Sequence, residues 1–245
     1  MRRIINGVVN MAIVASLALL LGGGLAQAAE IKVYGPGGGK WVMEECARAY
    51  EQQSGVKVVV TTGPMTQWMM QAKQDADLFM GGSESQLTLF NQNSPGLVDL
   101  ASRVSLYPRA AAILVRPGNP KGIKSLEDLA KPGVTILDVT AMGQYGLWED
   151  LAGMKGLIAA MGKNIKVSMP NHMVAMDKWR QSPELDAWVT FESWYYPLKD
   201  ASELVRLPEG QVLFRGTPVA LAAGAKNREE ALKFVAFLQT PPAHA

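Results

Sequence analysis

Three turns rich in glycine and hydroxyl groups carry the clearest chemical signal: Gly35-Pro36-Gly37-Gly38-Gly39, Thr61-Thr62-Gly63-Pro64-Met65-Thr66-Gln67 and Gly81-Gly82-Ser83-Glu84-Ser85. Each lies between a short apolar run and a helix-like stretch. Glycine lets the backbone approach a bound group closely, and the free N–H groups of a helix start present donors at the positive end of the helix dipole. Gly37, Gly38, Thr66, Gln67 and Ser83 are therefore candidates for holding an anion, although Thr66 would serve equally well as a plain N-cap. The first turn lacks the Lys-Ser/Thr ending of a phosphate-binding loop and the spacing of a dinucleotide fingerprint, so it does not point to a nucleotide.

The second half of the chain repeats the pattern at Thr140-Ala141-Met142-Gly143-Gln144-Tyr145-Gly146, Pro170-Asn171-His172 and Thr190-Phe191-Glu192-Ser193-Trp194-Tyr195. Thr140, Gln144, Tyr145, Asn171 and Glu192 add hydroxyl, amide, aromatic and carboxylate groups at strand ends. Trp188 and Trp194 fit a cleft wall or a core. Arg109 and Arg215 stand where the chain would pass between two units, and either guanidinium could pair with a carboxylate or phosphate. His172 and His244 are the only histidines and Cys46 the only cysteine. That is too few for a His/Cys metal site, which needs three or four convergent ligands, and no cofactor motif is present. A Gly-x-Ser-x-Gly elbow is lacking and Cys46 falls inside a helical pattern, so hydrolytic chemistry finds no support.

These turns need a frame that brings them together. Ile31-Tyr34, Val56-Val60 and Asp77-Met80 read as strands, the second as one covered on both faces, separated by helical stretches over Lys40-Gln53 and Thr66-Lys73. Strand, helix, strand, helix, strand means βαβ units on a mostly parallel sheet. The pattern restarts with a strand at Ala110-Val115, then a helix at Ser125-Ala130 with Ser125 as N-cap and Asp128 in the capping-box position. Strands at Val134-Leu137, Ile165-Ser168 and Ala187-Thr190 alternate with helices at Gln144-Leu151 and His172-Arg180. Val212-Phe214 and Val219-Ala222 lead to a final helix, Arg228-Leu238, whose Leu232, Val235, Ala236 and Leu238 could pack back on the first unit. The predicted division is a first lobe over 29–108, a second over 109–211 and a return to the first over 212–245. Ligands of open α/β sheets sit beyond the carboxyl ends of the strands, and a cleft between two such lobes gathers several helix starts at one place.

The N-terminus reads as an export signal over residues 1–28: Arg2 and Arg3, an apolar stretch from Met11 to Leu21, and Ala26-Gln27-Ala28 as the cleavage site. The apolar stretch is shorter than the roughly 20 residues that span a membrane. Removing Arg2 and Arg3 from the 24 basic residues leaves 22, against 22 acidic ones, so the mature chain is near neutral. Neutrality without a basic run argues against nucleic acid. A lone cysteine excludes an internal disulfide, and Met43, Ala47 and Tyr50 at helical spacing mark Cys46 as buried.

Several segments together resemble one family. They are Val33-Tyr34-Gly35-Pro36-Gly37-Gly38, Ser54-Gly55-Val56-Lys57-Val58 leading to Gly63-Pro64 and Trp68, Lys73-Gln74-Asp75-Ala76-Asp77-Leu78, and Gly118-Asn119-Pro120 with Lys124-Ser125-Leu126-Glu127-Asp128-Leu129-Ala130. Gly143-Gln144-Tyr145-Gly146-Leu147-Trp148-Glu149-Asp150 and Ala187-Trp188-Val189-Thr190 complete the set. Over nearly the whole mature chain they resemble the AcfC-like (accessory colonization factor) and Peb-type branch of periplasmic solute-binding proteins, more distantly related to molybdate and sulfate binders. The resemblance implies a two-lobed α/β class II binding-protein fold, closing on a small anion such as citrate or phosphoglycerate. It also implies a membrane permease or chemoreceptor as partner and leaves a homodimer open. The Ser-rich first turn of the molybdate relatives is replaced here by Pro36-Gly37-Gly38, which favours an organic acid over a bare tetrahedral oxyanion. An exported adhesin on the same scaffold is the alternative that the colonization-factor likeness brings with it.

Overall fold

The computed structural model describes residues 30–240, and the expected export signal lies outside the described residues. The chain opens with β1 (Glu30–Gly35), α1 (Lys40–Ser54), β2 (Lys57–Thr62), α2 (Met65–Asp75), β3 (Leu78–Met80), α3 (Glu84–Asn93) and β4 (Val104–Ser105). It continues through β5 (Arg109–Val115), α4 (Leu126–Leu129), β6 (Ile136–Val139), α5 (Leu147–Gly153), α6 (Ile158–Asn164), β7 (Ile165–Met169), α7 (His172–Gln181) and β8 (Ala187–Phe191). It ends with β9 (Glu203–Arg206), β10 (Phe214–Arg215), β11 (Pro218–Leu221) and α8 (Arg228–Leu238).

Two sheets result. The first has the order β2-β1-β3-β11-β4, with β1 parallel to β2 and β3, and β11 antiparallel to β3. The second runs β10-β5-β8-β6-β7, with β6 parallel to β7 and β8 and with β9 continuing along the edge of β5 beyond β10. The expected α/β architecture is present, and the chain passes between the sheets twice. The outward pass runs through Leu106-Tyr107-Pro108 and the return through Gly216-Thr217. The two passes are bonded to each other, Leu106 N–H to the Thr217 carbonyl at 3.2 Å and Thr217 N–H to the Tyr107 carbonyl at 3.0 Å.

Local chemistry accounts for the elements. α1 buries Met43, Cys46, Ala47 and Tyr50 and stops at Gly55, whose φ of 72° a side chain would resist. Ser125 caps α4 by accepting from the Asp128 N–H, as the capping pattern predicts. Trp68 is buried in α2 and its indole donates to the Gly63 carbonyl at 3.1 Å, which holds the Gly63-Pro64 turn.

Several expectations need correction. β2 is an edge strand with only Val58 buried, because nothing pairs beyond it in the sheet. α8 buries Ala231, Phe234, Val235, Phe237 and Leu238, whereas Leu232 and Ala236 face outward, since the helix turns its phenylalanines onto Tyr50. α5 begins at Leu147 and not at Gln144, because Gly146 takes φ 73° and breaks the turn before it. β10 still pairs with β5, so the return to the first sheet comes at Gly216-Thr217, later than residue 212. α3, α6 and β9 carried no clear periodic signal and were not expected.

Asp77 ties the first sheet together. Although 1% exposed, it accepts from the backbone N–H of Lys32 at 3.0 Å and of Asn227 at 2.9 Å, and from the Asn227 amide at 3.1 Å. It thereby joins β1, β3 and the start of α8. Asp77→Ala strands these buried donors and should destabilise the protein by about 2–4 kcal/mol, read as a lowered midpoint in thermal or urea denaturation.

Candidate ligand-binding cleft

The carboxyl ends of strands from both sheets face a common cleft of about 690 Å³. From the first sheet come Gly37-Gly38-Gly39 after β1, Gly63-Pro64 after β2 and Gly81-Gly82 after β3. From the second come Ala141-Met142-Gly143 after β6, Asn171 and His172 after β7, and Trp194 after β8. The volume suits a small metabolite.

Arg109 reaches this cleft from the point where β5 leaves the interlobe crossing. Its guanidinium lies 4.3 Å from the centroid of the Phe191 ring and one Nη donates to the Gly82 carbonyl. Its Nε is buried without a hydrogen-bond partner, and no carboxylate among the described residues pairs with it. Burial first, and the neighbouring Arg215 second, bring its pKa down to about 10, so the group remains charged at neutral pH. Arg215 has its own partners: Asp150 at 2.8 Å and the Tyr145 carbonyl at 2.8 Å. The acid whose charge reaches Arg109 is Glu84, which accepts from Ser105 Oγ at 2.8 Å and forms no ion pair with the guanidinium.

His172 opens α7 and is 8% exposed, with its ring stacked on Trp194 at 4.2 Å and 6°. Its Nε2 lies 2.8 Å from Gln144 Oε1. Gln144 is fixed in orientation because its amide nitrogen donates to the Val189 carbonyl at 2.9 Å, leaving Oε1 to accept from Thr190 Oγ1 at 2.8 Å. Nε2 therefore carries the ring proton, and Nδ1 keeps its lone pair. Burial, and secondarily the charge of Arg109, lower the His172 pKa to about 3 and keep the ring neutral.

The two sheets' loops touch at glycine. A Cβ placed on Gly143 would lie 3.0 Å from the Cα and the carbonyl oxygen of Gly82, and one on Gly82 would lie 3.0 Å from the Gly143 Cα. Trp41 of α1 meets Trp194 edge-on at 6.5 Å across the mouth. At this point of the cleft backbone meets backbone.

Comparison with known proteins agrees with this geometry. The family model for bacterial extracellular solute-binding proteins matches residues 31–245. The chain belongs to that family. Among solved structures, Peb3 from Campylobacter jejuni is 31% identical, covers 87% of this chain and 94% of its own, and superposes with a TM-score of 0.75. A crystal structure of L-phospholactate-bound PEB3 gives 32% identity over the same shares and a TM-score of 0.77. The sulfate-binding protein SubI of Mycobacterium tuberculosis shares the fold at 20% identity, covering 88% of this chain and 83% of its own, with a TM-score of 0.70. The family is one of exported binding proteins, and no helix among the described residues is long and apolar enough to cross a membrane.

Of the residues that the sequence singled out in this solute-binding protein, Gly37, Gly38, Arg109 and Asn171 line the cleft. Asn171 also caps α7, accepting from the Val174 N–H at 3.0 Å. Thr66 and Gln67 are exposed outside the cleft lining, Pro64 taking the N-cap position of α2, and the Gln67 amide oxygen lies over Gly63. Ser83 is buried beneath the cleft and bonds to Ser85. Thr140 and Tyr145 are exposed away from it, Tyr145 at 67%. Glu192 pairs with Arg206 at 3.1 Å and Arg215 with Asp150. Gln144 is buried behind the wall, bonded to His172. Trp188 is core, whereas Trp194 forms wall, with its indole N–H buried and unpartnered. The sequence reading passed over His172, Gly82 and Gly143 as site residues and left Trp194 open between cleft wall and core. The position of Asn171-His172 at a strand end opening a helix was the available signal for His172.

Since the unfolded chain has a His172 pKa near 6.5 and the folded one near 3, the unfolded state binds the additional proton between these values. Stability contributed here is full above about pH 6.5 and falls as pH drops toward 3. An NMR titration should show the His172 ring silent from pH 8 to about 4.5 in the folded protein, and His172→Phe should flatten the acid limb of the stability profile.

Proposed function

We propose that this solute-binding protein captures a small organic anion bearing a carboxylate or phosphate in its interlobe cleft and delivers it to a membrane permease or chemoreceptor. The observation that carries the reading is Arg109, a buried guanidinium open to the cleft with no acid to pair with. An unpaired buried charge costs several kcal/mol, and an incoming anion supplies the missing partner. Free N–H groups at Gly37-Gly38 and at the start of α7 add donors. The L-phospholactate bound to PEB3, a relative at 32% identity, is an organic acid of this kind and supports that ligand class here.

In this reading residues 29–108 and the segment from about Gly216 onward act as one lobe, and the intervening residues as the other. The paired crossings at Leu106-Tyr107-Pro108 and Gly216-Thr217 serve as the hinge. A ligand touching both lobes favours the closed form and shifts the population toward it. Export through the N-terminal signal would place the protein in the periplasm, where such solutes arrive.

Isothermal titration of refolded, ligand-free protein against 2-phospho-L-lactate, 3-phosphoglycerate, citrate, sulfate and molybdate tests this directly. One or more of the organic acids should bind, and absence of heat with all five would end the proposal. Arg109→Met should weaken the best ligand by about 100-fold, the scale of losing one partner of a desolvated charge pair. Gly143→Val should keep the lobes apart, so that small-angle scattering shows little compaction on adding that ligand.

A further inference from the structure

The cleft presents an unusual pair: a guanidinium with open donors, and beside it a neutral imidazole whose free nitrogen can only accept. His172 Nε2 is committed to Gln144, and Trp194 covers one ring face. Nδ1 makes no hydrogen bond among the described residues and is not sealed from solvent, while the residue itself forms part of the cleft wall. The tautomer is enforced from behind. Were the Gln144 amide reversed, its oxygen would face the Val189 carbonyl oxygen, acceptor against acceptor, inside a fully buried network that includes Thr190 at 0% exposure.

We propose that His172 determines specificity: its Nδ1 lone pair accepts a hydrogen bond from the ligand, so the cleft selects an anion that still carries a hydroxyl, a singly protonated phosphoryl group above all, over a fully deprotonated oxyanion. This rests on the anion-capture reading given above and narrows it. Arg109 binds the negative oxygens, and a P–OH turned to His172 satisfies the acceptor. A sulfate ester of the same shape has no proton to offer near neutral pH, so its oxygen would face the Nδ1 lone pair and leave two acceptors opposed. Gln144 is then a positioning residue, because it sets which nitrogen is free. The charged group facing the ring is Arg109; the other neighbours, Gln144, Thr190, Trp188 and Trp194, do not titrate in the working range.

The test compares 2-phospho-L-lactate with the O-sulfate ester of L-lactate by isothermal titration at pH 6.0, where a phosphate monoester with a second pKa near 6 is about half monoprotonated. The native protein should prefer the phosphate ester by about tenfold or more, the worth of one hydrogen bond and an avoided acceptor clash. His172→Phe, which keeps a ring against Trp194, should bring the two esters within a few-fold of each other. Because that variant removes one of the two donors to the buried Gln144 Oε1 and could unfold, a second measurement uses the native chain with 15N-labelled histidine. His172 Nδ1 should appear as the unprotonated nitrogen in the free protein, and its resonance should shift on adding the phosphate ester but not the sulfate ester. Equal binding of the two esters, or a proton found on Nδ1, overturns the role given to His172 while leaving anion capture standing. Binding of neither ester overturns capture of phosphoryl ligands and this inference with it.

Discussion

A guanidinium withdrawn from water with no carboxylate beside it is the constraint around which the cleft is organised. Arg109 keeps part of its solvation through the Gly82 carbonyl and the face of Phe191, and neither neutralises the charge. The surrounding choices follow from that debt. Arg215 is given Asp150 and stays out of the cleft, His172 is kept neutral and adds no further positive charge beside Arg109, and the loops opposite are glycine, which leaves backbone N–H groups free.

Placement matters as much as charge. Arg109 is the first residue of β5, immediately after the outward crossing, and Arg215 opposes it in register just before the return. Both cations therefore lie beside the paired crossings between the sheets, and the glycine loops lie farther out. The contact between Gly82 and Gly143 is one of bare backbone, which buries no side chain between the two sheets' loops.

The architecture was legible because it is written in local patterns: strand-turn-helix repeats, the Ser125-Asp128 cap, and the restart at residue 110. The turns were legible too, since glycine clusters at strand ends have few other uses. Side-chain direction was not. Thr66, Gln67 and Tyr145 have suitable chemistry in suitable turns, yet all three are exposed outside the cleft lining, and the helix expected from Gln144 begins only at Leu147, beyond Tyr145. Gln144 and His172 show the opposite case, in which two polar residues distant in sequence become one unit only when β6, β7 and β8 bring them together. Nothing in the spacing of Gln144 and His172 reveals which ring nitrogen is left free.

The first sheet is completed from the far end of the chain. β11 pairs with β3, and Phe234, Phe237 and Leu238 of α8 fill the core against Met43 and Tyr50 of α1. A chain threaded across a membrane from its N-terminus would deliver these partners last. In such a chain the leading half would emerge without the residues that complete its core, and the first sheet would close only when β11 and α8 had followed.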